Sequence, residues 1–374
     1  MKTALRLIDM LRDSWWIAEK EFRQLLYRLP VVRLLVILLV PVVVLTVFGF
    51  RTGAVSAQHL PVAMVDLDHS GFSATLTTQL NSGNLNIINV QNLTDAQDLL
   101  RNGRTFAAIV IPQGFSRNIT LHQQASVDLI LDDSNPFYAR AIDDVVGASV
   151  GSIAGSMSPV PVTYNISFLY GAGFGLVDYI VPGIVAMAAM FGSSFQCMSL
   201  IWDRALGTFD RVRAAPISPA SVLMGYVITG SVMGLFQAVG ILVFSYFVFQ
   251  ALVLNVGAVI LVVLLVAFVF TGIGVIIVGL AKEPREAMMA MQITNAANVL
   301  LSSVFFPVEL LPAPLSIVGS VLPLSFGVDL LRVTMIKGFS LFAPQSTSDL
   351  AILALYAAVS FGLASSILYK ILSR

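Results

Sequence analysis

Charge is scarce in this chain, and what there is falls in islands. Only 11% of the 374 residues are Asp, Glu, Lys or Arg, against 57% hydrophobic, and the formal net charge is zero. That balance places the chain as a whole in the membrane class and gives no bulk attraction for nucleic acid. Cysteine is almost absent. Cys197 stands alone, so neither an intramolecular disulfide nor a cysteine-based metal cluster can form, and its apolar surroundings read as packing. The three histidines, His59, His69 and His122, are scattered outside the apolar runs and read as surface residues, not ligands. No Gly-x-x-x-x-Gly-Lys-Ser/Thr loop occurs, so the chain has no phosphate cradle of that kind. Carboxylates are nearly missing from the apolar runs and no convincing internal repeat is visible, which argues against an ion-coupled carrier.

Long apolar runs are what the chain has in abundance. Residues 179–202 and 214–281 carry no charged side chain at all. One straight helix over the second run would reach about 100 Å, so a turn is forced, and Gln250 to Gly257 is the place for it. Spans are expected over 30–50, 179–201, 219–249, 256–281, 287–306 and 350–371. Pro41 is expected to kink the first. Val55-Ser56-Ala57 looks like a cleavage site, but the preceding apolar run is too long for a signal peptide and reads as an uncleaved anchor. The expected fold class is therefore membrane α-helical: six transmembrane helices with an extracytoplasmic α/β domain inserted between the first and second. Basic residues support cytoplasmic termini, because the short external segments hold only Arg332 and Lys337.

The segments between the runs differ in kind. Residues 1–29 place Leu7, Leu11, Trp15 and Phe22 on one helical side and Arg6, Asp13, Lys20 and Arg23 on the other, an amphipathic helix suited to lying against membrane lipid. Residues 51–178 alternate short apolar strands (Leu60–Asp66, Asn86–Val90, Thr105–Ile111, Val127–Asp132) with helical stretches (Gly71–Leu80, Thr94–Arg101, about 135–156), which suggests an α/β domain. Asp66, Asp68, Asp132 and Asp133 end two of those strands. They could hold a cation, but turn formation by side-chain hydrogen bonds is the plainer reading, and no metal site is expected. No nucleophile–base pair is visible there, so the domain reads as a docking module.

Three motifs remain. The island Trp202 to Pro216, with Arg204, Arg211 and Arg213, interrupts two apolar runs and is expected on the cytoplasmic face, as a helix over 202–218. Gln292, Asn295, Asn298 and Ser302 recur near one face of the fifth expected span. Polar side chains there either bond neighbouring helices or line a transport route. Pro307, Glu309 and Pro312 break the helix, and residues 307–338 are too interrupted for a full span; a re-entrant or interfacial pair of helices on the outer side fits.

These residues resemble a known family. Asp203-Arg204-x-x-Gly207-Thr208-x-Asp210-Arg211-x-x-x-x-Pro216-Ile217-Ser218 is similar to the cytoplasmic loop of ABC-type exporter permeases of the type-2 class. Phe306-Pro307-Val308-Glu309-x-Leu311-Pro312, then Pro323-Leu324-Ser325 and Asp329-x-x-Arg332, resembles the family's external segment before the last span. Val62 to Asp68, then Ile109-Val110-Ile111-Pro112-x-Gly114-Phe115, looks like the external domain of its drug-efflux-type members. The resemblance implies a permease without its own ATPase site, bound to a separate nucleotide-binding ATPase subunit that carries ATP and Mg. It implies a second permease, identical or paralogous, and in some members a periplasmic adaptor protein. It gives Asp203, Arg204, Gly207, Thr208, Asp210, Arg211, Arg213 and Pro216 a coupling role, and implies export of drug-like or amphipathic compounds by alternating access in the cell membrane. Ala205 and Leu206 stand where the family often has further charges. A membrane receptor or scaffold with an external ligand-binding domain is the rival reading, and an ion-coupled carrier the other.

Overall fold

A computed structural model describes residues 10–21, 23, 59–83, 85–156, 162–170, 174–207, 218–251 and 253–372. The span expected over 30–50 lies outside them. The chain divides into two units, Met1–Phe50 with Ile180–Arg374, and Arg51–Tyr179.

In the second unit, five strands, β1 (Leu60–Asp66), β2 (Leu85–Asn89), β3 (Ala107–Ile111), β4 (Ala125–Leu131) and β5 (Val162–Phe168), form one sheet in the order β2-β1-β3-β4-β5. All neighbours are parallel except β3 and β4. The helices are α2 (Gly71–Ser82), α3 (Leu93–Arg101), α4 (Phe115–Thr120) and α5 (Pro136–Ser156); α1 names the earlier helix at residues 10–21. Handedness explains their placement. The chain steps one way from β1 to β2 and the other way from β2 to β3, so right-handed crossovers put α2 and α3 on opposite faces. Strand β4 runs backwards, which returns α5 to the α2 face, where the two helices touch. On the α3 face Ala63, Val65, Ala108 and Val110 pack with Ala96. Strand β3 has every residue buried, as a central strand covered on both faces must.

The antiparallel step separates the four aspartates. Asp66 ends β1 and Asp68 follows it, whereas the β3–β4 register sets Leu131 against Ala107, so Asp132 and Asp133 lie at the opposite end of the sheet. The four do not share a site. Asp66 accepts from the Asp68 and His69 amides at 3.0 Å and from Ser73 Oγ at 2.7 Å. Asp132 accepts from the Ser134 amide and hydroxyl. Asp68 reaches further. Helix α4 begins at Gly114 (φ 88°), which has no side chain to cap it, and Asp68 supplies the cap from another loop by accepting from Gly114 N at 2.9 Å and Ser116 N at 3.0 Å. All three histidines sit exposed at left-handed turn positions, and no group of His, Cys, Asp or Glu among the described residues could hold a metal ion.

The first unit is helical: α6 (Leu176–Ala205, which begins in the second unit), α7 (Pro219–Phe249), α8 (Val256–Leu280), α9 (Pro284–Leu301), α10 (Ala313–Val321), α11 (Pro323–Met335) and α12 (Pro344–Leu372). Helices α6, α7, α8 and α12 are long and apolar enough to cross a membrane, and α10 with α11, bent by 76°, makes a fifth candidate if the pair counts as one. The protein is thus a membrane α-helical chain with four to five candidate spans among the described residues and an α/β sheet domain between α1 and those spans. The turn after α7 is set by Gln250 in the left-handed region (φ 56°) and by Asn255 capping α8. The fifth expected span differs from expectation. Helix α9 stops at Leu301, not 306, because Ser302 turns extended, and its 18 residues reach only about 27 Å. Arg285, Glu286 and its amide side chains leave it below the apolarity of the other four.

The cap on α4 carries a prediction. Slight burial works against the Asp68 carboxylate, but hydrogen bonds from Ser70, Ser116 and Gly114 outweigh it and hold its pKa below the ordinary aspartate range. A depressed folded pKa gives stability that is present above the unfolded value, about 3.9, and is lost as pH falls through the folded one. Asp68→Asn keeps the shape of the cap but removes its charge, and is expected to weaken α4 by about 0.3–1 kcal/mol at pH 7, seen as faster amide exchange over residues 114–120. The difference from wild type should shrink below the unfolded value and close only once pH has fallen through the lower, folded one; a difference undiminished below the folded value would refute the capping account.

Candidate coupling site and membrane break

The charged island is bracketed by its own stop and start signals. Helix α6 ends at Ala205, and Gly207 takes φ +69°, a conformation that a Cβ disfavours, so the helix cannot continue. Ser218 then caps α7 by accepting from the Ser221 amide at 3.0 Å, with Pro219 at the first helical position. Residues Thr208, Asp210, Arg211, Arg213 and Pro216 lie outside the described residues. Arg204 is in the last turn of α6. Beside that turn is a cleft of about 140 Å³ bounded by Ile201, Ala205, Val278, Lys282, Glu283, Pro284 and Ala287.

Asp203 is not on the surface. It is 1% exposed and sits 2.7 Å from Lys20 Nζ, with Tyr226 Oη at 3.4 Å. The Lys20 ammonium also lies 3.1 Å from Glu21 Oε1. Glu21 Oε2 accepts from Ser199 Oγ at 2.5 Å and Gln196 Nε2 at 3.0 Å. Burial works against the Lys20 charge, but Glu21 and Asp203 outweigh it, so the ammonium's pKa is raised. Sequence reading missed Lys20 and Glu21. The available signal was Gln196, Ser199 and Asp203 at i, i+3 and i+7, one polar stripe along an otherwise apolar helix. It also gave no sign that a side of α1 packs on the protein. Ser14, Ile17, Ala18 and Glu21 are buried, while Leu11, Trp15 and Trp16 stay exposed. Ile17 packs where Gly225 has no side chain: a Cβ there would sit 2.6 Å from Ile17 Cγ2.

Gln292, Asn295 and Asn298 of α9, with Ser302 just past its end, divide between two faces. Asn295 is buried and accepts from Ser194 Oγ of α6 at 3.0 Å. Asn298 and Ser302 are buried too, Asn298 donating to the Thr294 carbonyl. Gln292 is exposed, on a stripe with Met289, Ile293, Ala296 and Leu300.

Past α9 the chain leaves helical geometry before Pro307, Glu309 and Pro312 are reached. Pro307 precedes a 3-10 turn, Val308–Leu310, and Pro312 begins α10; Glu309 and Pro312 are exposed. Three helices grip the break. Gly183 of α6 lies against the Val304 carbonyl and Gly319 of α10 against the Leu301 carbonyl, each so close that a Cβ would collide with backbone. Arg332 of α11 donates to the Ser303 carbonyl and pairs with Asp329 at 3.3 Å. A backbone carbonyl freed where a helix ends needs another donor, and Arg332 supplies one at Ser303.

Several helices long and apolar enough to cross a membrane, a charged segment between two of them and a bent pair before the last describe a multi-pass membrane protein. Comparison with known proteins then fixes the family. Residues 32–365 match the model described as "ABC-2 family transporter protein", and the chain belongs to that family. It is a permease of an ABC-2 type transporter. The chain is 22% identical over 351 residues to ABC transporter G family member 20 of Dictyostelium discoideum, covering 90% of this chain and 48% of that one. It is 23% identical over 198 residues to Nodulation protein J of Rhizobium leguminosarum bv. viciae, covering 50% and 76%. The chain thus spans about half the length of the first relative. A crystal structure of a domain described as coming from an ABC type-2 transporter of Thermotoga maritima MSB8 is 18% identical, with a TM-score of 0.25, over 30% of this chain and 88% of that one.

The grip on the break predicts opposite signs for one kind of substitution. Gly183→Ala drives a Cβ into the Val304 backbone and should destabilise the detergent-solubilised protein by about 1–3 kcal/mol. Gly362→Ala, in α12 with nothing within 4 Å, should be neutral or stabilise by about 0.5–1 kcal/mol. Thermal midpoints by fluorescence-detected size exclusion decide, and equal midpoints would refute the grip.

Proposed function

We propose that the chain is the six-span permease subunit of an ATP-driven exporter, with residues 51–178 outside and both termini in the cytoplasm. Two such permeases, identical or paired, stand over two nucleotide-binding subunits. ATP binding draws those subunits together, pushes on residues 202–218 and rocks the spans between inward-open and outward-open states. The substrate class is drug-like or amphipathic, and a periplasmic adaptor protein is a further partner. The observation that carries this reading is the bracketed loop: Gly207 stops one candidate span and Ser218 with Pro219 starts the next, leaving a short segment rich in arginine for another protein to hold. Membership of the ABC-2 family supports it.

The split on α9 refines the transport route. Asn295, Asn298 and Ser302 serve the bundle interior, so among the four polar residues Gln292 is the one that faces away from it. In a two-permease assembly its stripe borders the route between the protomers. The buried amides give it a fixed wall.

Two experiments test the reading. The permease should co-purify with its cognate ATPase. In reconstituted vesicles, Gly207→Pro, or the exchange Asp210→Arg with Arg211→Asp, should cut ATP-driven export at least about tenfold while leaving membrane insertion intact; unchanged export sinks the coupling assignment. Gln292→Leu should alter which amphipathic compounds stimulate hydrolysis, whereas Asn295→Leu should lower the yield of folded protein. The reverse pattern would remove Gln292 from the route.

A further inference from the structure

Lys20 and Glu21 are consecutive residues on α1, and between them they hold three positions on one face of α6. Glu21 takes Gln196 and Ser199, and Lys20 takes Asp203. Tyr226 closes the group from α7. Glu21 and Asp203 are each 1% exposed. Two buried carboxylates share one ammonium, so removing that ammonium would leave both charges stranded in an apolar setting. The contact is also sterically indexed. One turn earlier on α1, Ile17 fills the space above Gly225, and the Ser14 carbonyl lies 3.1 Å from where a Cβ on that glycine would stand. Neither sliding nor rolling α1 keeps both the ion cluster and the Ile17 contact. The last residue of the polar stripe, Asp203, is four residues from Gly207, where α6 stops.

We propose that this cluster bolts α1 to α6, so that force arriving at the island moves the two helices as one piece, and that Lys20, Glu21 and Asp203 are positioning residues for coupling and not part of the surface offered to the ATPase. The proposal rests on the coupling role assigned above. It assigns work to an exposed tryptophan-bearing helix: Leu11, Trp15 and Trp16 ride in the membrane interface while the opposite side is fixed to the moving span.

The test exploits the chemistry of the one cysteine. Cys197 is fully buried, so thiol spin labels report on introduced sites alone. In the reconstituted permease–ATPase complex, labels at Leu11→Cys and Leu206→Cys span the bolt, and labels at Leu206→Cys and Leu280→Cys span α6 and α8. All three positions are exposed. Adding ATP with vanadate should shift the 206–280 distance and leave the 11–206 distance unchanged. Lys20→Glu should broaden the 11–206 distribution and cut hydrolysis by the complex about tenfold. Lys20→Glu combined with Asp203→Lys keeps the same charges in exchanged places, and should restore hydrolysis to within about twofold of wild type. A 206–280 distance that ignores nucleotide would overturn the coupling reading itself. A 206–280 shift accompanied by an equal shift across 11–206 in the wild type, or an exchanged pair no better than the single variant, would overturn the bolt while leaving that reading in place.

Discussion

In hydrocarbon a backbone amide or carbonyl has no water to fall back on, and that requirement shapes the membrane unit from end to end. It makes α6, α7, α8 and α12 continuous helices, and it decides how the chain is allowed to stop being helical. Where α9 gives out at Leu301, the freed carbonyls are not left to lipid. Two glycines on separate helices bring whole backbones against the break, and a guanidinium reaches in for Ser303. The helix starts between the spans are capped as well: Ser218 accepts from the Ser221 amide on α7, Asn255 from the Ala258 amide on α8, and Glu286 of α9 from the Glu283 amide. Side-chain packing follows from this frame, with α8 touching α7, α9, α11 and α12.

The sheet domain answers to a different constraint. Water satisfies its outer backbone, so its order comes from handed crossovers and from burying apolar residues on both faces of β3. One antiparallel step between β3 and β4 decides which helices meet and which aspartates are neighbours.

Much of this was legible in the sequence, and the failures share a physical pattern. Strands β1, β3 and β4 announce themselves as short, dense apolar runs, and α2, α3 and α5 by their periodicity. Strand β5 does not: Val162 to Phe168 mixes apolar and polar residues because it is an edge with half its surface exposed. Helix α4 is also silent locally, since its cap comes from Asp68, far away in sequence. In the membrane unit, length and apolarity located the spans but said nothing about which charges point inward. Asp203 reads as part of a charged surface until Lys20 is brought beside it, and the stripe at Gln196, Ser199 and Asp203 is outnumbered by the apolar residues around it. The end of α9 was misjudged because Pro307 looks like the breaker, whereas Ser302 has already turned.

The aspartates of the sheet domain have one more consequence. In parallel α/β folds the gap beyond the carboxyl ends of the strands, where neighbouring helices leave to opposite faces, is the customary seat for phosphate-bearing ligands, because helix amides converge there. Here that gap lies beyond β1 and β3, and the protein has filled it from within: the carboxylates of Asp66 and Asp68 already hold the amides that an anion would need. The domain has closed the pocket its topology would offer.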